Sequence, residues 1–200
     1  LRDYRVREFP PLEGELPGPI RLWTMPQPSA GGAQVLAMAQ LLTGTDGRLA
    51  ASLHAWAEAM RRSFLLRLAF AGDPGKPAAR LPEAFPSDAL QALARSFDPG
   101  RATPSAQLQA LSKPVREGDH TSHVSIVDAD GMAVSSTHTV NLLLGSGLVA
   151  AASGVLLNDE MDDFTFDVAT GNAFGLAGSA ANLMRPGARP VSSMSPVVLH

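Results

Sequence analysis

The hydrophobic period of this 200-residue chain changes once, near residue 121, and that change limits the possible folds more than any other feature. Upstream, apolar residues recur at helical spacing. Downstream, they alternate. A chain that runs from one period to the other must build a mixed α/β (α+β) domain. The spacing predicts a helix over Ala33–Leu42, with Val35, Met38, Ala39 and Leu42 on its inner face. A longer helix is predicted over Leu49–Ala71, with Leu53, Trp56, Ala57, Met60, Phe64 and Leu65 in the core, stopped by Asp73-Pro74-Gly75. A short one runs from Ser87, as N-cap, to Phe97. The Pro-rich opening (Pro10, Pro11, Pro17, Pro19, Pro26, Pro28) reads as extended chain, and residues 98–120 read as a long polar loop.

Strands are predicted over His123–Val127 and Met132–Val140, joined by a three-residue loop, Ala129–Gly131, with Gly131 in the left-handed position. Pairing Asp128 with Met132 sets the register. Ser125 then faces Ser135, His123 faces Thr137, and Thr121 faces Thr139. Alternation gathers Thr121, His123, Ser125, Thr137 and Thr139 on one face. A row of hydroxyls makes a poor core and a sensible site. Further on, Gly145-Ser146-Gly147 is a turn, Leu148–Leu157 an apolar segment, Asn158–Asp163 an acidic stretch, and Val191–Leu199 a strand.

Composition narrows the function. With 45% hydrophobic and 18% charged residues the chain can bury a core. A net charge of −3 argues against nucleic acid as the main partner. The absence of cysteine excludes disulfides and thiolate metal sites, and no apolar run reaches the ~20 residues that span a bilayer. The ends, Leu1 and the apolar run before His200, read as cuts through a longer protein.

Five short motifs occur in order: Met25-Pro26-Gln27-Pro28-Ser29-Ala30-Gly31-Gly32, Thr121-Ser122-His123-Val124-Ser125-Ile126-Val127-Asp128, Thr137-His138-Thr139-Val140-Asn141, Gly154–Phe164 with Asn158 and Met161-Asp162-Asp163-Phe164, and Ser192-Ser193-Met194-Ser195-Pro196. Together they resemble the γ-glutamyltransferase (γ-glutamyltranspeptidase) family of N-terminal-nucleophile hydrolases. The resemblance implies part of an αββα sandwich. Residues 1–120 would be the mostly helical C-terminal part of a large subunit. Residues 121–200 would be the mostly β start of a small subunit. The likeness is thin over about 72–118.

By that resemblance Thr121 is the nucleophile, freed by self-cleavage of the His120–Thr121 peptide, and Thr139 hydrogen-bonds it. Asn141 and Asp163 hold the α-amino group of a γ-glutamyl donor such as glutathione, and Ser192 and Ser193 hold its α-carboxylate. The acceptor is water or an amino acid, no cofactor is implied, and the remaining subunit segments are the expected partners. The family also suggests a periplasmic or secreted location. The chemistry suits these residue types: a threonine hydroxyl needs a base, and an N-terminal threonine supplies its own α-amine, with a reference pKa near 8.

Other readings of the same residues stay open here. Thr121 and Thr139 are also ordinary strand residues. His120, His123 and His138 raise a metal, but alternation puts His138 on the face opposite His123. Asp159, Glu160, Asp162 and Asp163 lack the order of a calcium loop. Phe174 stands where some family members carry a lid tyrosine, and the family's carboxylate-binding arginine and oxyanion Gly-Gly fall outside this chain. Ser122, Leu142 and Leu143 replace commoner threonines. An acylase of other amides, such as β-lactam side chains, and a non-catalytic uncleaved fragment are therefore the alternatives.

Overall fold

A computed structural model describes residues 3, 5–43, 52–108, 120–168, 172 and 178–200. The chain opens with an antiparallel hairpin, β1 (Leu12–Leu16) and β2 (Ile20–Thr24), turned at Gly18 with φ +88°. The proline-rich opening is thus extended, and part of it is also paired. Among the described residues four α-helices follow: α1 (Gly31–Leu42), α2 (Leu53–Phe70), α3 (Leu81–Ala84) and α4 (Ser87–Arg95). Next come β3 (Ser122–Val127), β4 (Ala133–His138), the short pair β5 (Val149–Ala150) and β6 (Val155–Leu156), and β7 (Val197–Leu199). β7 pairs with β2, so one sheet joins the two ends of the chain in the order β1-β2-β7. The mixed helix-and-sheet class is the one expected. The halves 1–120 and 121–200 share this sheet.

One core lies between the first hairpin and the helices, with Leu12, Leu22, Leu36, Leu66, Leu81 and Phe85 each at most 4% exposed. Two predicted faces are corrected. In α1 the buried apolar residues are Ala33, Leu36, Ala37 and Leu42: of the predicted stripe Leu42 is buried, while Val35, Met38 and Ala39 are only half-buried, because Leu36 packs under β1 and turns the inner face one step. In α2 the expected stripe is the outer one: Leu53, Trp56 and Met60 are exposed. The inner face is Ala55, Glu58, Ala59, Arg62, Ser63, Leu66 and Arg67. Alanines let α2 approach its neighbours closely; on that face Arg62 and Glu58 pair with each other, and other segments supply hydrogen bonds to both and to Arg67. The α2 start is capped by Ser52, which accepts from Ala55 N at 3.1 Å; the proposed residues 49–51 lie outside the described set. In α4, Ser87 is the first helical residue and Pro86 occupies the cap. Within 98–120 a single 3₁₀ turn spans Ser105–Leu108, and 109–119 lie outside the described residues. The strand expected over Val191–Leu199 is confined to β7.

The β3–β4 hairpin has the predicted register, Ser122 opposite His138 and Ser125 opposite Ser135. Asp128 N donates to Met132 O, and Gly131 takes φ +84°. Val197 N donates to Ser135 Oγ at 3.1 Å. The hydroxyl-bearing face therefore turns toward the segment entering β7, and Val124, Ile126 and Val134 on the other face are exposed.

Candidate active site

Thr121 stands one residue before β3 and is exposed. Its Oγ1 donates to Thr139 Oγ1 at 3.3 Å, which is long for a hydroxyl pair. Thr139 Oγ1 also accepts from Asn141 N at 2.9 Å, which fixes its rotamer. Among the described residues no histidine or carboxylate reaches the Thr121 hydroxyl. Across the same face His123 bridges Thr137 (2.8 Å) and Ser125 (3.0 Å), while His138 bonds Ser136 on the opposite face. His120 Nδ1 is buried with no hydrogen-bond partner among the described residues.

Asn141 is buried and left-handed, with φ +75°, a conformation asparagine tolerates better than most residues. Its Nδ2 donates to Asp159 O at 3.3 Å, and Asp159 Oδ1 accepts from Leu142 N at 3.0 Å. The Asn141 amide oxygen is left as an acceptor. Asp159 leads into a 3₁₀ turn, Glu160–Asp163, that presents a carboxylate pair. Asp163 Oδ1 accepts from Asn172 Nδ2 at 3.2 Å, and its backbone carbonyl accepts from Asn182 Nδ2 at 2.6 Å. Burial raises the Asp163 carboxyl, and the charge of Arg67 opposes that rise. Burial also pushes Glu160 up to about 7, with the negative charge of Asp163 adding to it. Glu160 then donates its proton to Asp163, so the two titrate as a pair.

Ser192 and Ser193 lie on the extended run before β7. Ser192 O accepts from Ala30 N at 2.9 Å, and Ser29 Oγ bonds Met194 O. Gly31 sits so close that an added Cβ would lie 2.5 Å from Ser193 O. Small residues at 29–32 are what let α1 dock against the serine run. Ser192 Oγ accepts from Met194 N at 3.2 Å, and Ser193 Oγ accepts from Arg67 Nη1 at 3.0 Å. Arg67, Asp163, Asn172, Ser179 and Val191 line one cleft.

The sequence-predicted residues thus fall into two groups. Thr121, Thr139 and Asn141 are linked by hydrogen bonds; Asp163, Ser192 and Ser193 are gathered around Arg67. The turn from Asp159 to Asp163 connects them. Asp159, Glu160 and Arg67 were missed. Glu160 and Asp159 lie in a stretch already marked as acidic, but Arg67 carries no sequence signal, since a charge on a helix ordinarily faces water. Phe174 lies outside the described residues. Chemically, the arrangement offers a hydroxyl nucleophile, acceptors suited to an ammonium group, and hydroxyl donors suited to a carboxylate.

The γ-glutamyltranspeptidase family model matches residues 1–200. The chain is 41% identical to the glutathione hydrolase proenzyme of Pseudomonas aeruginosa, over 100% of this chain and 36% of that protein. It is 34% identical to the glutathione hydrolase proenzyme of Escherichia coli K12, over 100% of this chain and 35% of that protein. Among solved structures, γ-glutamyltranspeptidase from Pseudomonas nitroreducens complexed with L-DON is 58% identical over 37% of this chain and 38% of that chain, with a TM-score of 0.36. The chain spans about a third of the length of these curated relatives.

Proposed function

This chain belongs to the γ-glutamyltranspeptidase family, and from that premise we propose that the full-length protein carrying it cleaves and transfers γ-glutamyl amides through Thr121. The observation that carries the reading is the Thr121–Thr139 bond at the head of β3, with no side-chain base at hand among the described residues. Such a nucleophile needs a base made in place. Attack of Thr121 Oγ on the His120 carbonyl carbon breaks the His120–Thr121 amide and leaves an ester and a free α-amine. Water hydrolyses the ester, returning the hydroxyl and releasing a His120 carboxylate. The new amine is the base. The same Oγ then attacks the γ-carbonyl of a glutathione-like donor, the amine leaves with a proton, and water or an amino acid removes the glutamyl group from the ester. Thr139 orients the hydroxyl throughout. The two subunits formed would remain joined through sheet β1-β2-β7, and the site of action would be the periplasm or the cell exterior, which fractionation checks.

Within this reading Asp163 and Asn141 face the donor ammonium. Asp163→Ala in the full-length protein should lower kcat/KM for a γ-glutamyl anilide roughly a hundredfold or more, since truncating one partner of a desolvated charge pair costs about 2–5 kcal/mol. Unchanged turnover would remove the γ-glutamyl assignment.

The carboxylate pair adds a pH dependence. Glu160 sits at about 7, above the ordinary 4.5, so below that pH the pair carries one proton and holds an ammonium weakly. KM for the anilide should fall as pH rises from about 6 to 8 and then level. Glu160→Gln should flatten that step. A wild-type KM that does not change across the window contradicts the role.

A further inference from the structure

We propose that Arg67, in the last turn of α2, is a positioning residue that aims the Ser192 and Ser193 hydroxyls at the α-carboxylate of the γ-glutamyl donor. The inference rests on the function proposed above and adds a residue to its donor site.

A serine hydroxyl has one proton to give and two lone pairs to accept with. Arg67 Nη1 donates to Ser193 Oγ at 3.0 Å, and Met194 N donates to Ser192 Oγ at 3.2 Å. Each serine oxygen therefore has an acceptor position filled. Among the described residues neither hydroxyl has an acceptor for its own proton. The two unspent protons are what a carboxylate would take. Arg67 Nη1 also donates to Ser192 O at 3.3 Å, so one guanidinium nitrogen fixes both the backbone and the second side chain of the pair.

Position and charge agree. Arg67 is 8% exposed, whereas Ser193 is exposed, so the cation lies behind the hydroxyl and not in the path of the ligand. A buried positive charge behind two hydroxyl donors raises the local potential for an anion. The same guanidinium lines the cleft with Asp163, and each charge offsets the burial of the other. Arg67 and Asp163 thus set opposite charges along one cleft. A zwitterionic donor then matches both, its carboxylate on the Arg67 side and its ammonium on the Asp163 side. Nothing else on α2 could do this. Arg62, the other buried arginine, has its donors committed to Glu58, Leu93, Ser96 and Thr103.

The test compares two donors in the full-length protein: a γ-glutamyl anilide and the 4-aminobutyryl anilide, which lacks the α-carboxylate. Arg67→Gln should raise KM for the first by about ten- to a hundredfold with a far smaller change in kcat, and should lower kcat/KM for the second far less. Arg67→Lys, which keeps the charge on a single donor nitrogen, should show a smaller loss of the same carboxylate-selective kind, and it serves if Arg67→Gln fails to fold. Adding Ser193→Ala to Arg67→Gln should cost little beyond either change alone. Equal losses on both donors, or a loss in kcat with KM unchanged, would overturn the role of Arg67 alone. A wild-type protein inert on the γ-glutamyl anilide would overturn the proposed function, and this inference with it.

Discussion

In the full-length protein, Thr121→Ala is expected to remain one uncleaved chain and to lose γ-glutamyl anilide turnover by about four to six orders of magnitude. The same oxygen is asked to act twice: once on the His120 carbonyl, once on the donor. Its hydrogen-bond partner among the described residues is Thr139, at 3.3 Å. Thr139 is itself tied to Asn141 N, so it cannot swing into the place of the nucleophile. Neither His123 nor His138 can substitute as a nucleophile or base for it, since each is engaged with a serine or threonine of its own face. Intact-mass measurement after incubation at neutral pH reads the first step, and anilide turnover reads the second. Thr121→Ser, which keeps the oxygen, should cleave and turn over more slowly than wild type. Two fragments from Thr121→Ala, split between His120 and Thr121, would show that another group performs the cleavage.

Sequence and structure agree best where the determinants are local. The register of the β3–β4 hairpin was legible, with β4 ending at His138 and not Val140, because alternation, the Asp128-Ala129-Asp130-Gly131 loop and the left-handed glycine all act within some twenty positions. The pairing of Thr121 with Thr139 follows from that register alone. Long-range pairing was not legible. β7 adds to β2 across almost the whole chain, and five-residue strands among prolines leave little alternation to read. The α2 face failed for a different reason. Periodicity assumes that apolar residues choose the inside, yet Trp56 and Met60 are exposed while Glu58, Arg62 and Arg67 are buried. What decides burial of a charge is whether distant segments can satisfy it, and those segments, at Leu93–Thr103 and Ser192–Ser193, are invisible in a helical window. The acceptors of the site were readable as residue types in recognisable motifs. Arg67 was not, because its significance lies wholly in what it touches.

Arg62→Met should destabilise the protein by about 3–5 kcal/mol, the cost of stranding a buried charge. Arg62 is 1% exposed and Glu58 2%. Nε of Arg62 donates to Leu93 O at 3.0 Å and to Ser96 Oγ at 3.1 Å, Nη1 to Glu58 O and Oε2, and Nη2 to Ser96 O at 2.8 Å and Thr103 Oγ1 at 3.1 Å. All five N–H groups are thus used, and they tie α2 to the end of α4 and to the loop at Thr103. Glu58 accepts further from Thr103 Oγ1 and Arg61 Nη1, both at 2.6 Å. Burial alone would raise its carboxyl, but the bonds from Thr103, Arg62 and Arg61 outweigh it and hold Glu58 at about 2, below the ordinary 4.5. A lowered folded value means stability that is present above about 4.5 and lost as pH falls toward 2, on the order of 3 kcal/mol. Urea unfolding of the Thr121→Ala protein, which stays in one piece, checks both effects at pH 7 and in acid. In Arg62→Met the acid-labile part should shrink, because the charge that Glu58 answers is gone. The double variant Glu58→Leu/Arg62→Met should recover much of the single loss, since two well-packed apolar side chains strand no charge. Additive losses at the two positions would mean that the residues act separately, and that the inner face of α2 is held by packing of its alanines instead.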